Sequence, residues 1–339
     1  MPILRSLALC LLPAALAICQ SLDPNGTGVR PGTSPRSWDP GGPKCMESPD
    51  WQRHEYNPDF YIIRESGCVN YEKPFLYLLF GQNRAILFDS GSGEVTIAPM
   101  IVRTVTNWLS RNGKSTIELI VAHTHAHEDH IAGDTQLSQL KSASIKTTVI
   151  PIDVKASQAF FKISKWPESF GRVDLGDRVI DVIPIPGHDY LSIAYYDRQT
   201  GVLLTGDTPC PGRLYIDLAD FSEFKKSVQR MIAFTQGKIV THVFGAHVEE
   251  TRTPYLEYPF GTIYQPDEHE LSLSRAHLLE LKGALDEMGN KPVTRAMSDY
   301  TISPADADGW KVIVSRLEAT KKEQLLKMWD QQATSPAIR

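Results

Sequence analysis

Long apolar runs are nearly absent from this chain of 339 residues. The one near the start, Leu7 to Ile18, falls short of the about 20 residues that a bilayer-spanning helix needs. A basic surplus is missing as well: 35 lysines and arginines stand against 40 acidic residues, a net charge of -5. The chain therefore has no electrostatic footprint for nucleic acid, which disfavours nucleic acid as a partner and nuclease chemistry as a function. Cysteine is sparse, at five residues. Cys10 lies in the leader, Cys45 and Cys68 are a candidate disulfide in an oxidising compartment, and Cys210 reads as a buried or site-edge free thiol. No internal repeat divides the chain. What is there, 42% hydrophobic and 22% charged residues, is ordinary for a soluble globular protein with a substantial core.

The first residues read as an address. Arg5 precedes the short apolar run, and Ala15-Leu16-Ala17 fits a small-residue cleavage site, so 1–20 is expected to be a signal peptide and the protein secreted or periplasmic, without stable membrane insertion after cleavage. Two alternatives are an uncleaved membrane anchor and a lipid on Cys19; Ile18 stands where a lipoprotein signal usually has a small residue. The following stretch, 21–45, carries Pro24, Pro31, Pro35, Pro40 and Pro43 among Gly, Ser and Asp residues, and is expected to be a flexible linker. A catalytic domain is expected over 46–290 and a partly helical extension over 291–339.

The decisive segment is His123-Thr124-His125-Ala126-His127-Glu128-Asp129-His130, which follows the mostly apolar run Ile117 to Ala122. If the chain leaves that strand still extended, His125 and His127 point to one side, because strand side chains repeat every two residues. Asp129 and His130, on a tight turn, then aim at a neighbouring point, so one loop can serve two metal ions. Imidazole and carboxylate suit zinc, and a catalytic zinc keeps a position open for water. A solvated histidine patch would leave the apolar strand before it unexplained. His123 and Glu128 lie off the ligand pattern, the first as a hydrogen-bonded histidine at the strand end. Gly133 suits a close turn into Asp134 to Lys141.

Strands and helices alternate elsewhere. Leu76 to Phe80 and Ala85 to Phe88 read as paired strands; Ile97, Ile101, Val105 and Leu109 fall on one helical face that ends near Gly113. Phe221, Phe224, Val228, Met231 and Ile232 mark a second helix stopping near Gly237. Leu278, Leu281, Leu285 and Met288, closed by Gly289, mark a third, and Ile313, Leu317, Leu325 and Trp329 suggest more helix, packed on its own domain. The segment Tyr255 to Pro266, rich in tyrosine and turn-formers, is expected to loop over the site. Tyrosine joins an apolar face to a hydroxyl donor, which makes Tyr190, Tyr215 and Tyr264 candidates for orienting a substrate carbonyl.

The pattern His125, His127, Asp129, His130 resembles that of the metallo-β-lactamase superfamily. Other segments match that family in order: Phe88-Asp89-Ser90-Gly91, Pro186-Gly187-His188 after the strand-like Val179 to Ile183, Leu203 to Asp207, and Val243 to His247. The resemblance implies an α+β fold, the four-layered αββα sandwich, here with a C-terminal helical extension. It implies two zinc ions per chain, with iron or manganese as alternatives, one held by His125, His127 and His188 and the other by Asp129, His130 and His247. Asp207 would bridge them, Asp129 and Asp207 would be the catalytic residues, and Asp89 would support the loop without touching an ion. Water on such a metal has its pKa lowered from about 15.7 to near 7. The implied function is thus a binuclear hydrolase whose bridging hydroxide attacks a small-molecule ester, lactone, thioester or related bond. The ligand set looks like that of glyoxalase II-type thioesterases and lactonases; true β-lactamases usually lack the bridging aspartate. An iron-dependent oxygenase or oxidoreductase and a non-catalytic zinc-binding protein are the alternatives.

Overall fold

A strand covered on both faces needs apolar residues at every position, not at alternate ones. Phe75–Phe80 is such a strand, with all six residues buried. In the computed structural model, which describes residues 28–40 and 48–317, it is the third strand, β3, of a six-stranded sheet. That sheet runs β1 (Trp51–Asn57), β2 (Phe60–Glu65), β3, β4 (Arg84–Phe88), β5 (Ile117–Ala122) and β6 (Ile145–Val149) in sequence order. The paired strands expected at Leu76 and Ala85 are β3 and β4, in antiparallel register with Tyr77 opposite Phe88.

The second half of the chain builds β7 (Gly171–Asp174), β8 (Val179–Pro184), β9 (Ile193–Asp197) and β10 (Val202–Gly206). The chain then leaves to form β11 (Arg213–Asp217) and returns as β12 (His242–Gly245) and β13 (Ser272–Leu273), giving the order β13-β12-β10-β9-β8-β7. A small third sheet joins β11 to β15 (Thr301–Ala305) and β14 (Arg295–Ala296).

Helices α1 (Ala98–Arg111), α2 (Glu128–Ile131), α3 (Asp134–Ser138) and α4 (Val154–Phe161) belong to the first half, and α5 (Phe221–Thr235) and α6 (Arg275–Met288) to the second. The period-two alternation of each strand divides its side chains between two layers. Leu76 and Leu78 of β3 pack outward with Ile101, Val105 and Trp108 of α1, where Phe80 stacks on Trp108 at 4.5 Å between ring centres. Tyr77 and Leu79 pack inward against the second sheet, where Tyr77 stacks on Phe244 at 6.1 Å. The outer face of the second sheet is covered by Phe224, Val228 and Met231 of α5 and by Leu278, Leu281 and Leu285 of α6. These are the four layers of an αββα sandwich. Each fully buried Leu- or Phe-sized side chain contributes roughly 1.5–3 kcal/mol, and a one-residue slip of β3 would exchange its two apolar sets between layers.

Two segments are tied to the sandwich more closely than expected. Residues 28–40, read from composition as flexible linker, lie against the domain: Arg30 N donates to Gln199 O at 2.8 Å and Thr33 N to Tyr56 O at 2.9 Å, and Trp38 packs edge-on to Phe75. Gly32 makes this approach possible, since a Cβ there would sit 1.9 Å from the Tyr56 carbonyl oxygen. Within the expected extension 291–339, β15 pairs in parallel with β11 along its whole length, which ties 301–305 to the sandwich. A further helix begins at 307 and is described to 317. The expected signal peptide, Cys10, Cys19, Cys45, Leu325 and Trp329 lie outside the described residues. Cys68 is disulfide-bonded, and Cys210 is a buried free thiol. Among the described residues no helix is long and apolar enough to cross a membrane.

Candidate metal centre

The carboxyl-terminal ends of β4, β5, β8, β10 and β12 meet at one edge of the sandwich. The chain leaves β5 extended, with His127 at φ -69° and ψ 151°, and then winds into the single turn of α2. His125 and His127 therefore face one point, and Asp129 and His130 another. The second sheet completes each group, so that His125, His127, His188 and Asp207 converge, and Asp129, His130 and His247 converge beside them, with ligand-type atoms within 4.8 Å of one another in each group. All seven ligand residues singled out from the sequence are thus brought together, although His125 and His247 are 122 positions apart in the chain.

Asp207 lies between the groups. Its Oδ2 is 3.3 Å from His188 Nε2 and 3.8 Å from His125 Nε2; its Oδ1 is 3.4 Å from His247 Nε2 and 3.6 Å from His130 Nε2. Oδ1 is buried and accepts no hydrogen bond. Within the first group His127 Nδ1 is 3.1 Å from His125 Nε2 and 3.2 Å from His188 Nε2. Within the second, Asp129 Oδ2 is 3.1 Å from His130 Nε2 and 3.2 Å from His247 Nε2. Imidazole nitrogens facing one another across about 3 Å, beside an unsatisfied carboxylate oxygen, are what a cation on each side would satisfy. The donor set fits two metal ions.

The far nitrogens are held. His130 Nδ1 lies 2.9 Å from Asp89 Oδ2, His188 Nδ1 is 2.8 Å from the Tyr215 carbonyl, and His247 Nδ1 is 2.8 Å from the Glu72 carbonyl. Donating there fixes the tautomer that leaves Nε2 free for a metal. Asp89 is fully buried with φ 66° and also accepts from Thr124 N at 2.7 Å and Thr124 Oγ1 at 2.8 Å. It supports the loop from behind. Gly206, φ 57°, lets β10 end directly against Thr124, 2.7 Å from where a Cβ would be.

The electrostatics follow from crowding. Burial would raise the Asp207 carboxyl, but the imidazoles of His247, His125 and His130 outweigh it and hold the group well below the usual carboxylate range. Burial lowers His125, and neighbouring His130 adds to that. His247 goes the other way, pushed up to about 10 because Asp207 and Asp129 overcome its burial.

His123, off the ligand pattern, is buried and bonded through Nε2 to Asp134 Oδ1 at 2.8 Å. Glu128 is exposed. Of the tyrosine candidates, Tyr215 lines the cleft over the ligands, whereas Tyr190 is 56% and Tyr264 40% exposed, and neither is in its wall. From the expected loop, Phe260 reaches the cleft. Tyr71, Glu72, Arg213, Glu249 and Trp310 also line it and carried no local sequence signal. The cleft has a volume of about 340 Å³.

The family model for the metallo-beta-lactamase superfamily matches residues 73–247, more than half of the chain and the whole span from β3 to the last histidine. The chain belongs to the metallo-beta-lactamase superfamily. Within it, relatives include the acyl-coenzyme A thioesterase MBLAC2 of Gallus gallus, 20% identical over 60% of this chain and 82% of that protein. A hydroxyacylglutathione hydrolase of Prochlorococcus marinus is 28% identical over 48% of this chain and 61% of that protein. Among solved structures, a metallo-beta-lactamase from Pontibacter korlensis is 14% identical, with a TM-score of 0.45, covering 70% of this chain and 99% of that one. The superfamily relatives are hydrolases, and the His and Asp groups here suit a metal cofactor.

Proposed function

We propose that the protein is a secreted, binuclear zinc-dependent hydrolase of an ester, thioester or lactone. The observation that carries the reading is Asp207, with one oxygen turned to each triad and Oδ1 left without a hydrogen bond. A structural zinc site closes around four protein ligands and has no use for a shared carboxylate between two incomplete sets. His125, His127 and His188 would hold one ion, and Asp129, His130 and His247 the other.

When bound, the pair supplies a water that ionises near neutral pH and positive charge beside the oxygen under attack. The protein's own contribution is positional. Asp89, the Tyr215 carbonyl and the Glu72 carbonyl fix three imidazoles in one tautomer, and half-buried Asp207 stays ionised between them, its carboxyl held low by the surrounding imidazoles. The cleft walls, including Tyr215, Phe260 and Trp310, orient the carbonyl and exclude bulk water, which strengthens every electrostatic contact inside. The relatives' names point to thioesters as the first class to assay. Export places lactones and other esters beside them.

The test is metal content by mass spectrometry on the mature chain, combined with hydrolysis of lactones, thioesters, β-lactams and phosphodiesters before and after chelation. About two zinc ions per chain and a chelator-sensitive activity are expected. Iron with oxygen consumption would move the assignment to an oxygenase, and metal without turnover of any substrate would move it to a binding protein.

A further inference from the structure

We propose that the substrate is an uncharged ester-type compound with an apolar tail, lodged in a channel that runs from the metal cleft beneath the helix beginning at 307. This rests on the hydrolase reading above and names its substrate class. A second cavity, of about 830 Å³, adjoins the cleft, and Arg213, Tyr215, Phe260 and Ile313 line both. The two spaces share a wall and together exceed what a short acyl group fills.

Three features select the occupant. The first is charge. Apart from the proposed ligands, the two cavities are lined by four carboxylates, Asp217, Glu249, Glu257 and Asp306, and by Glu72, whose carboxyl burial pushes up to about 7, against two guanidiniums, Arg213 and Arg316. Arg213 is already committed, 2.9 Å from Glu249 and 3.0 Å from Glu257. A carrier bearing several phosphates or carboxylates would meet surplus negative charge in a wall of low dielectric, which costs affinity.

The second is the apolar surface. Trp310, Ile313, Val314 and Leu317 of the helix face the cleft with Phe260, and Tyr215 packs against Trp310 with ring centres 5.2 Å apart. At the mouth of the larger cavity Leu218 and Val312 remain 39% and 49% exposed. Large apolar side chains left in water around one opening mark a binding surface, because the same residues scattered singly would serve nothing.

The third is a donor. The Tyr215 hydroxyl is buried in the wall common to both cavities and has no hydrogen-bond partner. An unpaired buried hydroxyl is costly unless a ligand supplies an acceptor. A carbonyl or ring oxygen of a neutral ester supplies one. Tyr215 is therefore assigned as the residue that registers the ester group between the tail channel and the metals.

The experiment uses the full mature chain in two forms. Metal-free protein is titrated calorimetrically with decanamide, an uncharged non-hydrolysable probe, and with decanoyl-coenzyme A; metal-loaded protein is assayed on nitrophenyl esters from butyryl to decanoyl. Decanamide is expected to bind, and kcat/KM to rise roughly 2- to 4-fold per methylene until the channel is full. Val312→Glu, at a position already half in water, is expected to weaken decanamide binding by about tenfold and to flatten the chain-length series. Leu218→Glu serves as the second variant if the first lowers the melting temperature. Tyr215→Phe is expected to raise KM more than it lowers kcat. No decanamide binding up to its solubility limit, a flat series in the unmodified enzyme, or tighter binding of decanoyl-coenzyme A than of decanamide would overturn the proposal. If no ester is turned over at all, the hydrolase reading falls, while the decanamide titration still decides the channel.

Discussion

Asp89→Asn is the substitution that isolates support from ligation. Asp89 touches no ion in the assignment above; it accepts from Thr124 N, Thr124 Oγ1 and His130 Nδ1 at 2.7, 2.8 and 2.9 Å. Asparagine has the same shape and keeps one acceptor oxygen, which can still serve the Thr124 amide. Its other terminus is an NH2 that meets the proton on His130 Nδ1. The two donors repel until the imidazole changes tautomer, and that moves the proton to Nε2, the nitrogen that faces Asp129 and His247. Metal affinity at the second group is therefore expected to fall about 10- to 100-fold, or about 1.4–2.7 kcal/mol. The metal-free fold should also lose about 1–3 kcal/mol, the cost of one buried donor left unpaired. The assay is competition with a chromophoric chelator, paired with urea unfolding of metal-free protein. Asp134→Asn is the control, because Asp134 bonds to His123, outside the ligand groups. Unchanged affinity in Asp89→Asn, or an equal loss in the control, would refute the argument from tautomer control.

Three further outcomes are expected. Asp207→Ala should reduce the bound metal below about two ions per chain, read by mass spectrometry, because each group loses its shared oxygen. Glu268→Ala should destabilise by about 3–5 kcal/mol in urea unfolding, since it strips the partner from buried Arg64, 2.6 Å away, and from buried Lys73; a cost below about 1 kcal/mol would mean that water reaches both cations. Glu250 is buried, and burial followed by neighbouring Glu257 pushes its carboxyl up to about 7. A raised carboxyl gives stability that is complete below the unfolded value of about 4.3 and is lost as pH rises to about 7. Glu250→Gln should remove that slope and stabilise the protein at neutral pH by on the order of 3 kcal/mol relative to acid pH. Parallel melting-temperature profiles for the two proteins would contradict it.

The parts of the fold that sequence made legible are those with local periodicity. The α1 stripe from Ile97 to Leu109, the all-buried β3, the apolar run Ala85 to Phe88 of β4, and the α5 and α6 stripes each carry their signal locally. The β11-β15 pairing carries none, because its partners stand almost 90 positions apart in register, Arg213 with Thr301, and β15 includes Pro304, which reads against a strand. Within the expected linker 21–45, composition registers the prolines and misses that, over 28–40, Trp38 meets Phe75 of β3 and two backbone amides reach Tyr56 of β1 and Gln199 of the turn after β9. In the site, the histidines and aspartates were conspicuous because few structural roles need them so densely spaced. Arg213, Glu249 and Trp310 were not, since each is an ordinary residue until folding stands it in the cleft wall. The tyrosines show the limit of proximity along the chain: Tyr190 follows a ligand closely in sequence yet projects to solvent.

The division of the donors between the two six-stranded sheets has a consequence for assembly. His125, His127, Asp129 and His130 hang from the first sheet, and His188, Asp207 and His247 from the second. Neither triad is complete on one sheet. A half-formed molecule, or one whose layers have stacked a residue out of register, would offer a cation at most two donors of either group and would hold it weakly. Metal binding would thus act as a seal on correct assembly: a cation held by either group would clasp the two sheets together, and only after the sheets have found each other.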